Sequence, residues 1–226
     1  MKYLDKICIL IPAYNAHLTL ESVLKKIQPL KMDTVVVDDG SLDETEKIAS
    51  ANGAYVLEHP YNLGKGAALR TGFQYILQKD YQVVVTLDAD GQHDPSEIPS
   101  LLRIFQNIQP DILIASRAGE FEGMTFLRRF WNRLGAKAVA RICHSDITDS
   151  QSGFRLIRTE ILKEVQLTTS RFETELELLI KACKKGFRVL SVPIKTQRID
   201  GTEFSHFRPV ADTWQECKLF LQSLFW

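Results

Sequence analysis

Two carboxylates, Asp88 and Asp90, follow the apolar run Val83-Val-Val-Thr-Leu87 with one residue between them. In an extended segment, residues i and i+2 face the same side. Carboxylates held close repel, and each raises the other's pKa unless a cation sits between them. A hard divalent ion, Mg²⁺ or Mn²⁺, suits such a pair. It takes one or two carboxylates and completes its shell with phosphate oxygens and water. Gln92 or His93 stands close enough in sequence to complete or support that shell. The plainer alternative is that Asp88 and Asp90 cap the next turn. Position favours the ion, because the pair ends a strand and two other strands also end in polar residues.

Those other ends are Pro12-Ala13-Tyr14-Asn15 and Asp38-Asp39-Gly40-Ser41. Asp-Gly is a turn signal and Ser41 a helix cap, which leaves two adjacent carboxylates unexplained. One of them is able to accept from a nucleobase N–H or a ribose hydroxyl. Asn62-Leu-Gly64-Lys65-Gly66 resembles a phosphate loop, but the Walker spacing fails at His59 and Gly66. The dinucleotide pattern fails at Leu69. A P-loop NTPase and a nicotinamide dehydrogenase are therefore poorly supported. The glycines either allow a tight turn or let Lys65 reach a nucleotide.

The elements that must position these residues alternate along the first two-thirds of the chain. Apolar runs at Ile7–Ile11, 34–37, 54–57, 83–87 and 112–115 are continuous, as expected of strands buried on both faces. Between them, Leu20, Val23, Leu24 and Ile27 recur at helix spacing, as do Leu69, Phe73, Ile76 and Leu77. Ser41-Leu-Asp-Glu44 has the form of a capping box opening a helix through Ala51. Asp94-Pro95-Ser-Glu97 supplies an N-cap, a proline and an acid ahead of residues 98–108. This order predicts an α/β, Rossmann-like, mostly parallel sheet flanked by helices, with ligands at the carboxyl ends of its strands.

Beyond Arg117 a loop over 118–123 precedes a basic helix over 124–143 carrying Arg128, Arg129, Arg133, Lys137 and Arg141. Its alternatives are a phosphate-facing surface and a solvated charged face. Helices follow near 159–166 and 172–185, with a strand near 187–192. The tail, about 209–226, reads as an amphipathic helix with Trp214, Cys217, Phe220, Leu221, Leu224, Phe225 and Trp226 at helical spacing. That face suits a membrane interface, the core or a second subunit. No repeat or linker interrupts residues 1–226, so a single domain is expected.

Composition narrows the function classes. The 226 residues hold 28 Lys+Arg and 28 Asp+Glu, and the zero net charge gives no support for nucleic-acid binding. Four scattered cysteines without a CxxC pair argue against a zinc ribbon and give a disulfide framework little support. No apolar run reaches the roughly 18–20 residues that span a bilayer. A cytoplasmic chain is expected, one that does not itself cross a membrane.

Taken together, Pro12-Ala-Tyr-Asn15, Val37-Asp-Asp-Gly-Ser41, Asn62-Leu-Gly-Lys-Gly66, Asp88-Ala-Asp-Gly-Gln-His93, Gln151-Ser-Gly-Phe-Arg155 and Phe172-Glu-Thr-Glu175 resemble the family-2 glycosyltransferases of GT-A fold. Within that family the likeness is greatest to the dolichyl- or polyprenyl-phosphate mannose and glucose synthases. The resemblance implies that Pro12, Ala13, Tyr14 and Asn15 line the nucleotide pocket, and that Asp39 with Asp38 holds base or ribose. It makes Asp88 and Asp90 the DxD motif for Mg²⁺ or Mn²⁺ and the diphosphate, with Gln92 nearby. Lys65 joins the nucleotide-sugar side. Arg117 and Arg133 would face an acceptor phosphate, and Arg198 would reach the diphosphate. Glu173 stands where many relatives carry a catalytic carboxylate. The expected partners are a UDP- or GDP-sugar and a lipid-phosphate acceptor at the membrane surface, with the enzyme peripheral on the cytoplasmic face. A glycan or other hydroxyl acceptor, or an idle nucleotide-sugar binding module, is the alternative.

Overall fold

The computed structural model describes residues 6–117, 139–141, 147–195 and 209–223. In chain order the elements are β1 (Ile7–Ala13), α1 (Leu20–Ile27), β2 (Asp33–Asp38), α2 (Thr45–Ala51), β3 (Tyr55–Glu58), α3 (Lys65–Leu77) and β4 (Val83–Thr86). Then come α4 (Ile98–Ile108), β5 (Ile112–Ser116), β6 (Arg155–Arg158), α5 (Thr159–Glu164), α6 (Glu173–Lys184), β7 (Val189–Pro193) and α7 (Pro209–Ser223). The expected loop over 118–123 and most of the basic helix over 124–143, Arg133 included, lie outside the described residues, as does Arg198.

The strands form one seven-stranded sheet in the order β3-β2-β1-β4-β6-β5-β7. Four of its pairings are parallel, and β6 runs antiparallel to both β4 and β5. The mostly parallel α/β reading holds. Continuous apolar runs were the signal, and they are explained by burial on both faces: Cys8, Ile9, Leu10 and Ile11 are wholly inaccessible. Alternate residues of β1 serve two cores. Ile9 and Ile11 meet α1 and α4 through Leu20, Leu24, Leu101 and Phe105. Cys8 and Leu10 meet α3 and α6 through Leu69, Phe73 and Leu179. Each such aliphatic side chain contributes about 1.5–3 kcal/mol on burial.

Helix starts show where local signals were overridden. Asp94 caps as expected, accepting from Ser96 N–H at 3.1 Å, and Pro95–Glu97 form a 3₁₀ turn leading into α4. The capping box at Ser41 does not form. Ser41 instead donates to Asp38, and α2 begins at Thr45, whose N–H is capped by Asp43 Oδ1 at 3.0 Å. Cys183 on α6 is disulfide-bonded, against the expectation of unlinked thiols, whereas Cys8 is free and buried. The C-terminal helix α7 packs on α6, where Lys184 Nζ donates to the Ser223 carbonyl. Leu219 is buried, and Trp214 and Leu221 stay exposed. Among the described residues no helix is long and apolar enough to cross a membrane.

Candidate active site

Parallel strands β1, β2, β4 and β5 all end on the same edge of the sheet, so Pro12–Asn15, Asp38–Ser41, Asp88–Gln92 and Arg117 share one rim. Pro12 and Ala13 are the buried last residues of β1. Asn15 adopts a left-handed φ of 48°, a conformation Asn tolerates. Its N–H donates to Ser41 Oγ at 2.9 Å, and its Oδ1 accepts from Leu42 N–H at 2.8 Å. The first two strand ends are thereby stapled together, with Tyr14 half-buried between them and solvent.

Asp38 and Asp39 are both buried and both engaged within the fold. Asp38 Oδ1 accepts from the N–H and hydroxyl of Ser41 at 3.0 and 2.5 Å. Asp39 Oδ1 meets His59 Nδ1 at 2.6 Å and Leu63 N–H at 3.0 Å, and Oδ2 accepts from Gly64 N–H at 2.7 Å. His59 continues to Thr71 Oγ1 through Nε2 at 2.9 Å. Asp39 thus holds the loop that delivers Lys65 to the start of α3.

Asp88 and Asp90 do not sit on an extension of β4. Residues 89–90 form a turn completed by Gly91 at φ 74°. The turn, rather than strand alternation, places the two charges near each other. Asp88 Oδ1 is 2.6 Å from Lys65 Nζ, and the same ammonium lies 2.9 Å from Glu175 Oε2. Burial pushes the Asp88 pKa up, but the Lys65 charge outweighs it and the net shift is downward. Asp90 is raised to about 6 by burial and by the charge of Asp88. Its Oδ1 accepts from the backbone N–H of Gln92 at 2.9 Å, so Gln92 supports the turn through its main chain. Burial holds His93 at about 4, neutral near pH 7, against the ring of Phe154.

The donor set fits a hard divalent ion in a limited way. Among the described residues no three His, Cys, Asp or Glu side chains form a metal-binding group. Asp88 and Asp90 match ions such as Mg²⁺ that take one or two carboxylates and draw the rest of their shell from a ligand's phosphates.

Arg117 leaves β5 and forks onto Asp149, with Nε–Oδ2 at 2.8 Å and Nη2–Oδ1 at 3.2 Å. Burial works against each charge, and each is more than repaid by the other: Asp149 is shifted down and Arg117 up. Glu173, the first residue of α6, accepts from Arg171 N–H at 3.4 Å through Oε1, and among the described residues its buried Oε2 has no hydrogen-bond partner.

Three participants escaped assignment from sequence. Asp149 carries Arg117. Glu175 shares Lys65 with Asp88. Arg155, 1% exposed, donates to the carbonyls of Ser152, Glu175 and Ser150 at 2.7, 2.7 and 2.8 Å. The runs Phe172–Glu175 and Gln151–Arg155 contained the latter two, but among these residues only Glu173 was given a role. Gly153 has a steric reason to be glycine: a Cβ there would collide with the Asp88 carboxylate, 2.6 Å from Cγ.

Comparison with known proteins returns one family. Glycosyl transferase family 2 matches residues 8–166. The chain is 32% identical over 214 residues to the UDP-N-acetylglucosamine–dolichyl-phosphate N-acetylglucosaminyltransferase of Methanococcus voltae, covering 84% of this chain and 85% of that protein. It is 35% identical over 202 residues to the dolichol-phosphate mannosyltransferase of Pyrococcus furiosus, covering 83% and 55%. In fold it is similar to glucosyl-3-phosphoglycerate synthase of Mycobacterium tuberculosis solved with Mg²⁺ and UDP. The TM-score is 0.73 at 22% identity, over 97% of this chain and 78% of that one.

Proposed function

The chain belongs to Glycosyl transferase family 2, and on that premise we propose that it moves a sugar, with inversion, from a UDP- or GDP-sugar to a polyprenyl (dolichyl-type) phosphate. The observation that carries this reading is the turn Asp88–Asp90 at the sheet rim, with one carboxylate neutralised by Lys65 and the other left at about 6. Such a pair is suited to a cation that arrives with a diphosphate. The names of the relatives from Methanococcus voltae and Pyrococcus furiosus support a lipid-phosphate acceptor.

In this mechanism an acceptor phosphate oxygen attacks C1 of the sugar as the bond from C1 to the diphosphate oxygen breaks, and the nucleoside diphosphate leaves. The phosphate is mostly ionised near pH 7, because its second pKa is about 6, and needs little base assistance. Asp88 and Asp90 would hold Mg²⁺ or Mn²⁺, which supplies positive charge for the departing diphosphate. Arg117, locked by Asp149, presents a fixed cation on the acceptor side, with Arg133 as its expected companion and Arg198 on the diphosphate. Pro12–Asn15 and the loop built on Asp38 and Asp39 bound the nucleotide. The exposed Trp214 and Leu221 of α7 give a peripheral enzyme apolar contact with the cytoplasmic face of a membrane.

The test is mass spectrometry of products after incubation with mixed UDP- and GDP-sugars, a short polyprenyl phosphate and Mn²⁺ or EDTA. A glycosylated lipid phosphate that requires both the metal and Asp90 is expected. Turnover of Asp88→Ala or Asp90→Ala at the wild-type rate refutes the metal role.

One observation favours a second acceptor class. The buried Oε2 of Glu173, without a hydrogen-bond partner among the described residues, is suited to accept a hydroxyl proton. Glu173→Gln separates the two: a loss beyond about 100-fold indicates a hydroxyl acceptor needing a base, and a mild effect indicates an ionised phosphate.

A further inference from the structure

We propose that Glu175 is a positioning residue for sugar transfer, acting through Lys65 to fix the Asp88 carboxylate. The inference rests on the transferase reading above and deepens it.

Three contacts define the device. Lys65 Nζ sits between Asp88 Oδ1 at 2.6 Å and Glu175 Oε2 at 2.9 Å, with 16% of its side chain exposed. The ring of Phe172 lies 5.8 Å from the ammonium. A lysine side chain has four rotatable stem bonds and a point charge, so one carboxylate alone does not fix where its head rests. A second carboxylate on the same ammonium does. The far wall is Gly153, which leaves Asp88 no room to retreat in that direction.

Glu175 is itself held from two sides. Its backbone carbonyl accepts from Arg155 Nη1 at 2.7 Å, and that guanidinium also gathers the carbonyls of Ser150 and Ser152 beside Gly153. The segment leading into the helix that carries Glu175 meets the start of α3 closely. Ala67 N–H donates to the Ser170 carbonyl at 2.9 Å, and a Cβ on Gly66 would come within 2.6 Å of the Arg171 carbonyl. The frame of α3, α6 and β6 therefore fixes both ends of the Glu175–Lys65–Asp88 chain, and the free variable it removes is the direction of Asp88. Simple charge counting gives the opposite expectation. A carboxylate near a diphosphate site repels the ligand, so its removal would improve donor binding.

A double-mutant cycle tests the inference, using transfer kinetics of the full chain with Glu175→Ala, Lys65→Met and the pair, together with Glu175→Gln. A misplacement of about 1 Å costs on the order of 100-fold in rate, so each single variant is expected to lose about 10- to 100-fold in kcat, more than donor KM rises. The pair is expected to be no slower than Lys65→Met alone, because Glu175 has nothing left to hold. Glu175→Gln, whose amide oxygen still accepts from the ammonium, is expected to recover part of the rate. Multiplying losses, a wild-type kcat in Glu175→Ala, or tighter donor binding with unchanged kcat overturns the inference and leaves the transferase reading intact. Thermal melting checks the fold of each variant. Should Glu175→Ala not fold, the same cycle with Glu175→Leu, which also removes the acceptor, decides by the same criterion. Absence of any transfer by the wild-type chain overturns both readings together.

Discussion

Replacing Gly153 by alanine isolates the geometry of Asp88 from its chemistry. The added methyl carbon would lie 2.6 Å from both Cγ and Oδ1 of Asp88 and closer still to Oδ2. Non-bonded carbons settle at about 3.5–4.0 Å, so the carboxylate must retreat by roughly 1 Å. The backbone of Gly153 is not in the left-handed region, so the substitution strains the contact and not the main chain. Its carbonyl can keep the bond from Thr86 Oγ1 at 2.8 Å. A displacement of roughly 1 Å cannot leave the 2.6 Å contact between Asp88 Oδ1 and Lys65 Nζ with its present geometry. The stability cost is that of overpacking, about 1–3 kcal/mol. The rate cost is that of a misplaced group, on the order of 100-fold. Transfer kinetics at saturating donor, with melting temperature measured in parallel, separate the two. A kcat within threefold of wild type in a folded Gly153→Ala protein would refute the idea that Asp88 is confined against Gly153.

Other consequences concern the supports. Burial pushes the pKa of Glu177 up, but the bonds it accepts from Lys181 Nζ and from the N–H and hydroxyl groups of Thr168 and Thr169 outweigh burial and hold it at about 2, below its ordinary 4.5. The folded pKa lies below the unfolded one, so its contribution is complete above about pH 4.5 and disappears as pH falls toward 2. Glu177→Gln is expected to cost about 2–3 kcal/mol at pH 7 and to flatten the acid limb of a urea-melt series. An unchanged limb counts against it. Asp39→Asn turns an acceptor into a donor facing Leu63 or Gly64 N–H. It is expected to lower stability by about 1–3 kcal/mol as well as nucleotide affinity, and lost affinity at unchanged melting temperature would assign Asp39 to the ligand alone.

The fold was legible where physics is local or repetitive. Continuous apolar strands and the stripes of α1 and α3 follow from burial, and Asp94 followed by Pro95 is a self-contained start signal. Ser41 misled because Asp38, three residues earlier, competes for its hydroxyl, a contest that spacing does not show. The rim could be read because parallel strands end together. Roles within it could not, because they depend on long-range partners. Asp39 binds a loop 20 to 25 residues away, and Lys65 meets Glu175 from a different helix. The placement of Asp88 beside Asp90 was expected from strand alternation and arises instead from a turn.

The reversed strand β6 has an outcome for tuning. An antiparallel strand begins where its parallel neighbours finish, so the chain reaches the rim of the sheet on its way in, bringing Asp149 and Gly153 along. Arg155 pairs with Thr86 on one side and Ile114 on the other. A single alignment therefore sets the spacing from Gly153 to Asp88 and from Asp149 to Arg117. Slippage of β6 would detune the Asp88 and Arg117 sides of the rim at once, whereas changes within either loop can adjust one side and leave its counterpart untouched.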